Sequence, residues 1–408
     1  MNQKQMKKIF NDTAYIHTGG SEQELRCANY IVDTLSNWGL SATLEPFEVQ
    51  CANVNKAVLT IDGKVVPCKG YTLCGSGKVE GEIYYLTHND KHSLSKCKGK
   101  IVLVDGFVGY WIYNDVVDAG AIGIISYDGN ANYADWDIDA RELRPYVSKG
   151  RKVLCANVNA KTAIQIAKNG KYATIEIEQD EFICNSHNVV LDLPGNNGQT
   201  IVLTAHYDTT PLSVGSYDNM TGSVALMALA QHFANAPHKF NLRFVWCGSE
   251  ERGLLGSKAY CIAHKGELES TALCVNVDMI GSIMGKFVAC CTSESKLVDY
   301  IAYMADEFGF SIKSYQDVYS SDSTPLADSG VPAVSFARLA PTNTATIHNR
   351  YDTAKVLDMG RMQGDVAFIC AFVERMANAE RCPVSKEMPD NVKTKLDEYL
   401  CRKRREQN

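Results

Sequence analysis

No stretch of the chain approaches the roughly 18 consecutive apolar residues of a membrane-spanning helix, which excludes a helical membrane protein. The opening residues, Met1-Asn2-Gln3-Lys4-Gln5-Met6-Lys7-Lys8, are polar and are followed by Asp12 and His17. The hydrophobic segment of a secretory signal is missing there, so a cytoplasmic, unexported protein is expected. Basic blocks are almost absent: net charge is −6, and only Arg402-Lys403-Arg404-Arg405 concentrates positive charge. That short run reads as a solvated helix end, so neither nucleic acid nor a membrane surface is an expected partner. No Cys-x-x-Cys pair occurs among the fifteen cysteines, which excludes a thiolate zinc knot. Their odd number and their placement in apolar runs, as at Cys247, Cys274, Cys290 and Cys370, predict buried reduced thiols.

What is present is ordinary globular composition with one unusual stretch. The 408 residues suffice for two or three domains, with 45% hydrophobic and 22% charged residues. Between Ile201 and Glu251 an apolar strand run, Ile201-Val202-Leu203-Thr204-Ala205, delivers His206, Tyr207 and Asp208 at its end. Asp218 follows in a Gly- and Ser-rich turn that leads into an apolar helix, Ser223 to Phe233. A second strand, Leu242 to Cys247, stops at Gly248-Ser249-Glu250-Glu251. Unpaired charges are expensive beside a core, so two buried strands that each end in His, Asp and Glu point to a metal site.

The rest of the chain divides by texture. Residues 1–50 predict a helix from Glu22 to Trp38, with Leu25, Ala28, Ile31, Leu35 and Trp38 on its apolar face, Ser21 as N-cap and Gly39 past its end, and then a strand from Ser41 to Val49. Residues 51–180 carry short β-like runs between Gly, Asn and Asp and read as an inserted, β-rich smaller α/β domain. His88 and His92 there read as loop histidines. Residues 181–385 resume the main domain with strands Leu273 to Val277, Lys286 to Cys291 and Ala333 to Phe336, and with helices Ser295 to Phe308 and Met359 to Ala379. A helical tail, 386–408, closes the chain. Strands alternating with helices predict an α/β fold with a mostly parallel, mixed sheet flanked by helices, whose ligands gather at the carboxyl ends of strands.

Taken singly, each candidate residue has an ordinary structural explanation; together they form an inventory. His206, Asp218, Glu251, Asp278 and His348 supply two imidazoles and three carboxylates from five strand or loop ends. Two zinc ions sharing one carboxylate, each with one further His and one further carboxylate, need that set. The lack of thiolates disfavours a closed structural site. Glu250 is then free to act as general base, and Asp208 is placed to accept a hydrogen bond from the His206 ring.

Two resemblances accompany these residues. Gly99-Lys100-Ile101-Val102-Leu103-Val104 with Ala119-Gly120-Ala121-Ile122-Gly123-Ile124-Ile125 resembles the core of a protease-associated domain. His206-Tyr207-Asp208, Asp218-Asn219, Glu250-Glu251, Asn276-Val277-Asp278-Met279-Ile280-Gly281 and Ile347-His348-Asn349-Arg350-Tyr351-Asp352-Thr353 resemble, in order and spacing, the blocks of the co-catalytic di-zinc aminopeptidase family. That resemblance implies a zinc-peptidase-like fold. It also implies two Zn²⁺ per chain, replaceable by Co²⁺ or Mn²⁺, and a peptide substrate with a free N-terminus. Hydrolysis is expected through a metal-bridging water with Glu250 as base. By position in the family motif Glu251 is the ligand and Glu250 the base, Asp218 bridges, Tyr319 steadies the tetrahedral intermediate, and a cis peptide follows Asp218. Ser323 stands where many members have His. A carboxypeptidase, dipeptidase or glutaminyl cyclase on the same scaffold, or a metal-free binding homologue, are the alternatives.

Overall fold

A computed structural model describes residues 1–132 and 138–405 of the chain. The chain forms two compact units, one of Met1–Val49 with Asn185–Asn408 and one of Gln50–Cys184. Residues 406–408 of the expected C-terminal tail lie outside the described residues.

The first unit begins with helices α1 (Gln3–Asp12) and α2 (Glu22–Ser36). Its strands are β1 (Thr200–His206), β2 (Asn241–Cys247), β3 (Thr271–Val277), β4 (Lys286–Thr292), β5 (Lys313–Gln316) and β6 (Ala333–Leu339). The remaining helices used below are α3 (Thr221–Phe233), α4 (Leu255–Ala263), α5 (Ser295–Phe308), α6 (Ser323–Asp328), α7 (Met359–Asn378) and α8 (Asp390–Tyr399). The strand order is β5-β4-β6-β3-β1-β2, followed by the last residues of the strand Tyr172–Leu193. The β6-β3-β1-β2 block is parallel, β4 runs antiparallel to β6, and the final strand runs antiparallel to β2.

Register explains why the site forms where it does. Cys247 pairs with His206 across β1 and β2, and Asn276 pairs with Thr204 across β1 and β3, so three parallel strands finish along one edge. All seven residues of β3 are buried, as are six of seven in β1, the continuous burial of a sheet covered on both faces. Helix α3 covers this block and is apolar nearly all round, so it is interior rather than amphipathic.

The N-terminal helix differs from expectation in which side it buries. Ser21 caps α2 by accepting the Glu24 N–H, and Gly39 takes φ +78° just beyond it. Leu25, however, is exposed, whereas Glu24, Cys27, Ala28, Ile31 and Leu35 face inward. The face is rotated because a buried polar target, described below, takes the Glu24 carboxylate. Helix α1 was not anticipated; Met6, Ile9 and Phe10 bury at three- and four-residue spacing behind an Asn2–Gln5 capping box.

The second unit has its own core. Strands Gly77–Tyr85, Ile101–Leu103, Gly123–Asp128 and Leu154–Asn159 pair in parallel, with helices Tyr110–Asp118 and Ala160–Asn169 between consecutive strands or after them. Residues 172–177 add an antiparallel strand beside Gly77–Glu82. His88 and His92 are exposed, the latter within the short helix Lys91–Ser95. Cys247, Cys274 and Cys290 are buried as expected, but Cys370 on α7 is only half-buried. The basic run begins just past α8, where Arg402 pairs with Asp328 and Asp397. Among the described residues, no helix is long and apolar enough to cross a membrane.

Candidate metal centre

His206, the last residue of β1, is fully enclosed, and its Nε2 lies 3.2 Å from Asp218 Oδ1 and 3.8 Å from Asp278 Oδ1. Asp278 directly follows β3 and Asp218 sits in the turn Ser216–Met220 that feeds α3. His348, in the long loop after β6, places its Nε2 3.1 Å from both Asp218 Oδ2 and Glu251 Oε2. The two oxygens of the Asp218 carboxylate thus face different imidazoles. Two donor groups result, His206–Asp218–Asp278 and Asp218–Glu251–His348, with Asp218 common to both. Glu250 is nearly buried beside them, with Oε2 3.9 Å from His206 Nε2.

The loops carrying these side chains are tied together by other buried groups. Asp208 accepts the backbone N–H groups of Glu250 at 2.8 Å and Glu251 at 3.2 Å. Its carboxylate is 3.6 Å from His206 Nδ1, which lies closer, at 3.2 Å, to the Asp208 backbone carbonyl. The expected partner of the imidazole is therefore the peptide oxygen, because the carboxylate is occupied by the glutamate turn. Asp352 accepts the N–H groups of Tyr217 (2.7 Å) and Asp218 (3.1 Å). Asn219, joined to Asp218 by a cis peptide, donates to the Val277 carbonyl (3.0 Å) and accepts the Met279 N–H (3.0 Å), bracketing Asp278. Glu24 accepts the N–H of Ser249 (2.9 Å) and of Gly20 (2.6 Å), and the Ser186 hydroxyl (2.7 Å). Ser249, Met279 and His348 all adopt left-handed backbone, at φ 52°, 62° and 62°. Such angles are uncommon outside glycine and collect where surroundings enforce a special side-chain direction.

Electrostatics follow from burying four carboxylates with two imidazoles. Burial, together with neighbouring carboxylates, pushes Glu250 well above the usual range, despite the opposing pull of His206. Asp278 is pushed up to about 7 by burial and by Asp218, against the pull of His206. Glu251 is raised by burial first and by Asp218 next. Asp218 alone goes the other way: burial would raise it, but the hydrogen bonds and charges of His206 and His348 together hold it down. For His348 burial opposes charging, yet Glu251 and Asp218 raise it to about 11. Among the described residues, Asp278 Oδ1 is a buried acceptor with no hydrogen-bond donor. Excess buried negative charge around an orphaned oxygen is relieved by cations, and imidazole with carboxylate oxygen suits zinc-class ions.

Tyr319 borders the same space, its hydroxyl 3.5 Å from the Asp278 carbonyl. Ser323 is buried away from it, exchanging a hydrogen bond with Ser335 Oγ at 2.8 Å; Asn276 joins this network through Ser321 and Ser335. Ser335 thus satisfies the buried Ser323 hydroxyl. The residues missed in sequence are Glu24, Asp352 and Asn219. Asn219 and Asp352 lay inside recognised blocks but without an assigned part, and Glu24 was hidden by reading a charged helix position as solvent-facing.

Residues 188–373 match the family model described as Peptidase family M28. Aminopeptidase YwaD of Bacillus subtilis is 26% identical over 73% of this chain and 67% of its own length. The probable lipoprotein aminopeptidase LpqL of Mycobacterium tuberculosis is 26% identical over 62% of this chain and 53% of its own. Among solved structures, an aminopeptidase from Aneurinibacillus sp. strain AM-1 superposes with TM-score 0.78 at 19% identity, covering 94% of this chain and 96% of that one. BSAP, a zinc aminopeptidase from Bacillus subtilis, superposes with TM-score 0.77 at 20% identity, covering 96% and 98%. At these identities the two structural likenesses establish the shared fold.

Proposed function

Residues 188–373 match peptidase family M28, and from that premise we propose that the chain is a zinc-dependent aminopeptidase. It removes residues from the free N-terminus of peptides. The observation that carries this reading is the division of the Asp218 carboxylate between two imidazole–carboxylate groups. His206 and Asp278 would hold one zinc ion, Glu251 and His348 a second, and Asp218 both. Bound there, zinc supplies Lewis acidity and lowers the pKa of water to about 7.

The chain's own groups do the rest. Glu250, held in a low-dielectric site where its carboxyl favours the proton, takes a proton from the attacking water and returns it to the leaving amine. Asp208 aims Glu250 and Glu251 through their backbone N–H groups. The Tyr319 hydroxyl stands beside Asp278, where it donates to the oxygen of the substrate carbonyl as charge develops. We assign the unit Gln50–Cys184 to the protease-associated type, on its Gly99–Val104 and Ala119–Ile125 strand–helix–strand core. A cytoplasmic location is supported by the buried thiols Cys247, Cys274 and Cys290.

The test is a panel of aminoacyl chromogenic substrates beside the same compounds with a blocked amine, assayed with metal-replete protein. Hydrolysis confined to the free-amine set is expected. Equal turnover of the blocked set would overturn the aminopeptidase reading in favour of another hydrolase on this scaffold.

A further inference from the structure

Three groups of His, Cys, Asp and Glu side chains among the described residues come close enough to hold a metal ion, and two of them make up the centre described above. The third is His232, Cys370 and Glu374, whose candidate ligand atoms all lie within 4.8 Å of one another. Its geometry follows from two helices. Cys370 and Glu374 are four residues apart on α7 and so share one face. His232 is the penultimate residue of α3, which packs against α7. The cluster therefore lies at the far end of α3 from the Asp218 turn, about 16 Å along the helix axis.

His232 Nε2 is 2.6 Å from Glu374 Oε1, a hydrogen bond that accounts for those two residues without the thiol. Cys370 makes it a triad. Its thiol is half-buried, pushed up to about 12 by burial and by the Glu374 charge beside it. A cation placed between them would relieve that repulsion.

We propose that His232, Cys370 and Glu374 form a further binding site for one zinc-class ion, clipping α3 to α7. Metal–ligand bonds of about 2.0–2.3 Å set the ligand atoms of a tetrahedral ion about 3.3–3.8 Å apart. Small side-chain rotations reach that spacing, and the fourth position is left to water. One thiolate and one imidazole select Zn²⁺ or Cd²⁺ over Mg²⁺ or Ca²⁺. On binding, the thiol proton leaves to solvent and a metal–sulfur bond replaces it, with no change of oxidation state.

This site is independent of the peptidase reading, because the donor set around Asp218 contains no thiolate. Cadmium titration of the full chain tests it, followed by equilibrium dialysis and by the ultraviolet charge-transfer absorption of a cadmium–thiolate bond. The wild-type protein should bind one equivalent more than Cys370→Ser or His232→Ala and should show the band, which Cys370→Ser loses. Zinc should raise the melting temperature of the wild type more than that of either variant, while all three hydrolyse peptides alike. Absence of the band in the wild type, or equal equivalents in all three proteins, overturns the site. So does wild-type cadmium affinity in His232→Ala, which reduces the cluster to a lone thiol. Because His232 is exposed at a helix end, that variant should fold even where Cys370→Ser does not.

Discussion

Asp208 holds Glu250 through its main chain, accepting the Glu250 N–H at 2.8 Å, while the glutamate side chain turns toward His206. The carboxylate that follows His206 by two residues thus aims the proposed base on the neighbouring strand end. Base and ligand are oriented as one unit, since the next N–H, that of Glu251, reaches the other oxygen of the same carboxylate.

Glu250→Gln is expected to retain bound metal and near-normal stability yet lose about 10²–10⁴-fold or more in turnover, the contribution of a positioned acid–base group. Glu251→Gln should instead lower occupancy of the ion shared with His348, with partial rescue by excess zinc. Metal content and turnover measured on both variants decide this. If Glu250→Gln sheds metal while Glu251→Gln keeps it, the two parts are exchanged.

Metal removal should be reversible. A chelator should abolish activity, and Zn²⁺, Co²⁺ or Mn²⁺ should restore it, with two ions per chain held by the Asp218-sharing groups. Retained activity after exhaustive chelation, with no metal detected, would contradict the proposed site.

Glu24 supports the glutamate turn from below. Glu24→Ala strands the N–H groups of Gly20 and Ser249 in a buried space, at about 1–3 kcal/mol for each unsatisfied group, so a lower melting temperature and slower turnover are expected together. Glu24→Gln preserves the shape and makes a pH test possible. In the metal-free protein burial, then the Asp208 charge, lifts the Glu24 carboxyl from 4.5 to about 8. A carboxyl raised on folding contributes stability that is fully present below the unfolded value and is lost as pH climbs through the folded one. The stability of the metal-free wild type relative to Glu24→Gln should therefore decline between about pH 4.5 and 8; a flat or rising difference in denaturant titrations would refute it.

Gly222 opens α3 under the candidate centre, and a Cβ there would stand 2.2 Å from the Val277 carbonyl and 2.6 Å from Asn219 Oδ1. Gly222→Ala is expected to lose about 1–3 kcal/mol or more of stability through overpacking. Among the described residues, nothing beyond its own chain neighbours lies within 4 Å of a Cβ at Gly266, so Gly266→Ala serves as the near-neutral comparison in the same thermal-unfolding measurement.

The candidate ligands were readable because polar residues interrupt apolar strand runs at their ends. His206 closes β1 and Asp278 follows β3, and burial leaves few other reasons for them. His348 was harder to place, since it stands nine residues beyond the end of β6 and reaches the site by a left-handed backbone angle that no pattern of residue types announces. Glu24 was illegible for a different reason: hydrophobic spacing assigned the inward face to Leu25, and only the tertiary position of Ser249 rotates it toward the carboxylate. Cys370 was read as core because its neighbours are apolar, but α7 turns it toward Glu374 and the surface. Helix α1 was legible but short: Met6, Ile9 and Phe10 recur at helical spacing, masked by the polar residues around them.

The bracing of the loops by Asp208, Asn219, Asp352 and Glu24 divides the centre into parts with different freedom to vary. Every peptide segment under the donor atoms is bonded to another such segment, so a change in one is transmitted to the rest. By contrast Ile283, Met284 and Tyr351 are large apolar side chains left exposed on the loops that follow Asp278 and His348. Substitutions at these exposed positions leave those buried bonds in place. The floor is the part of the chain where a single replacement is felt throughout.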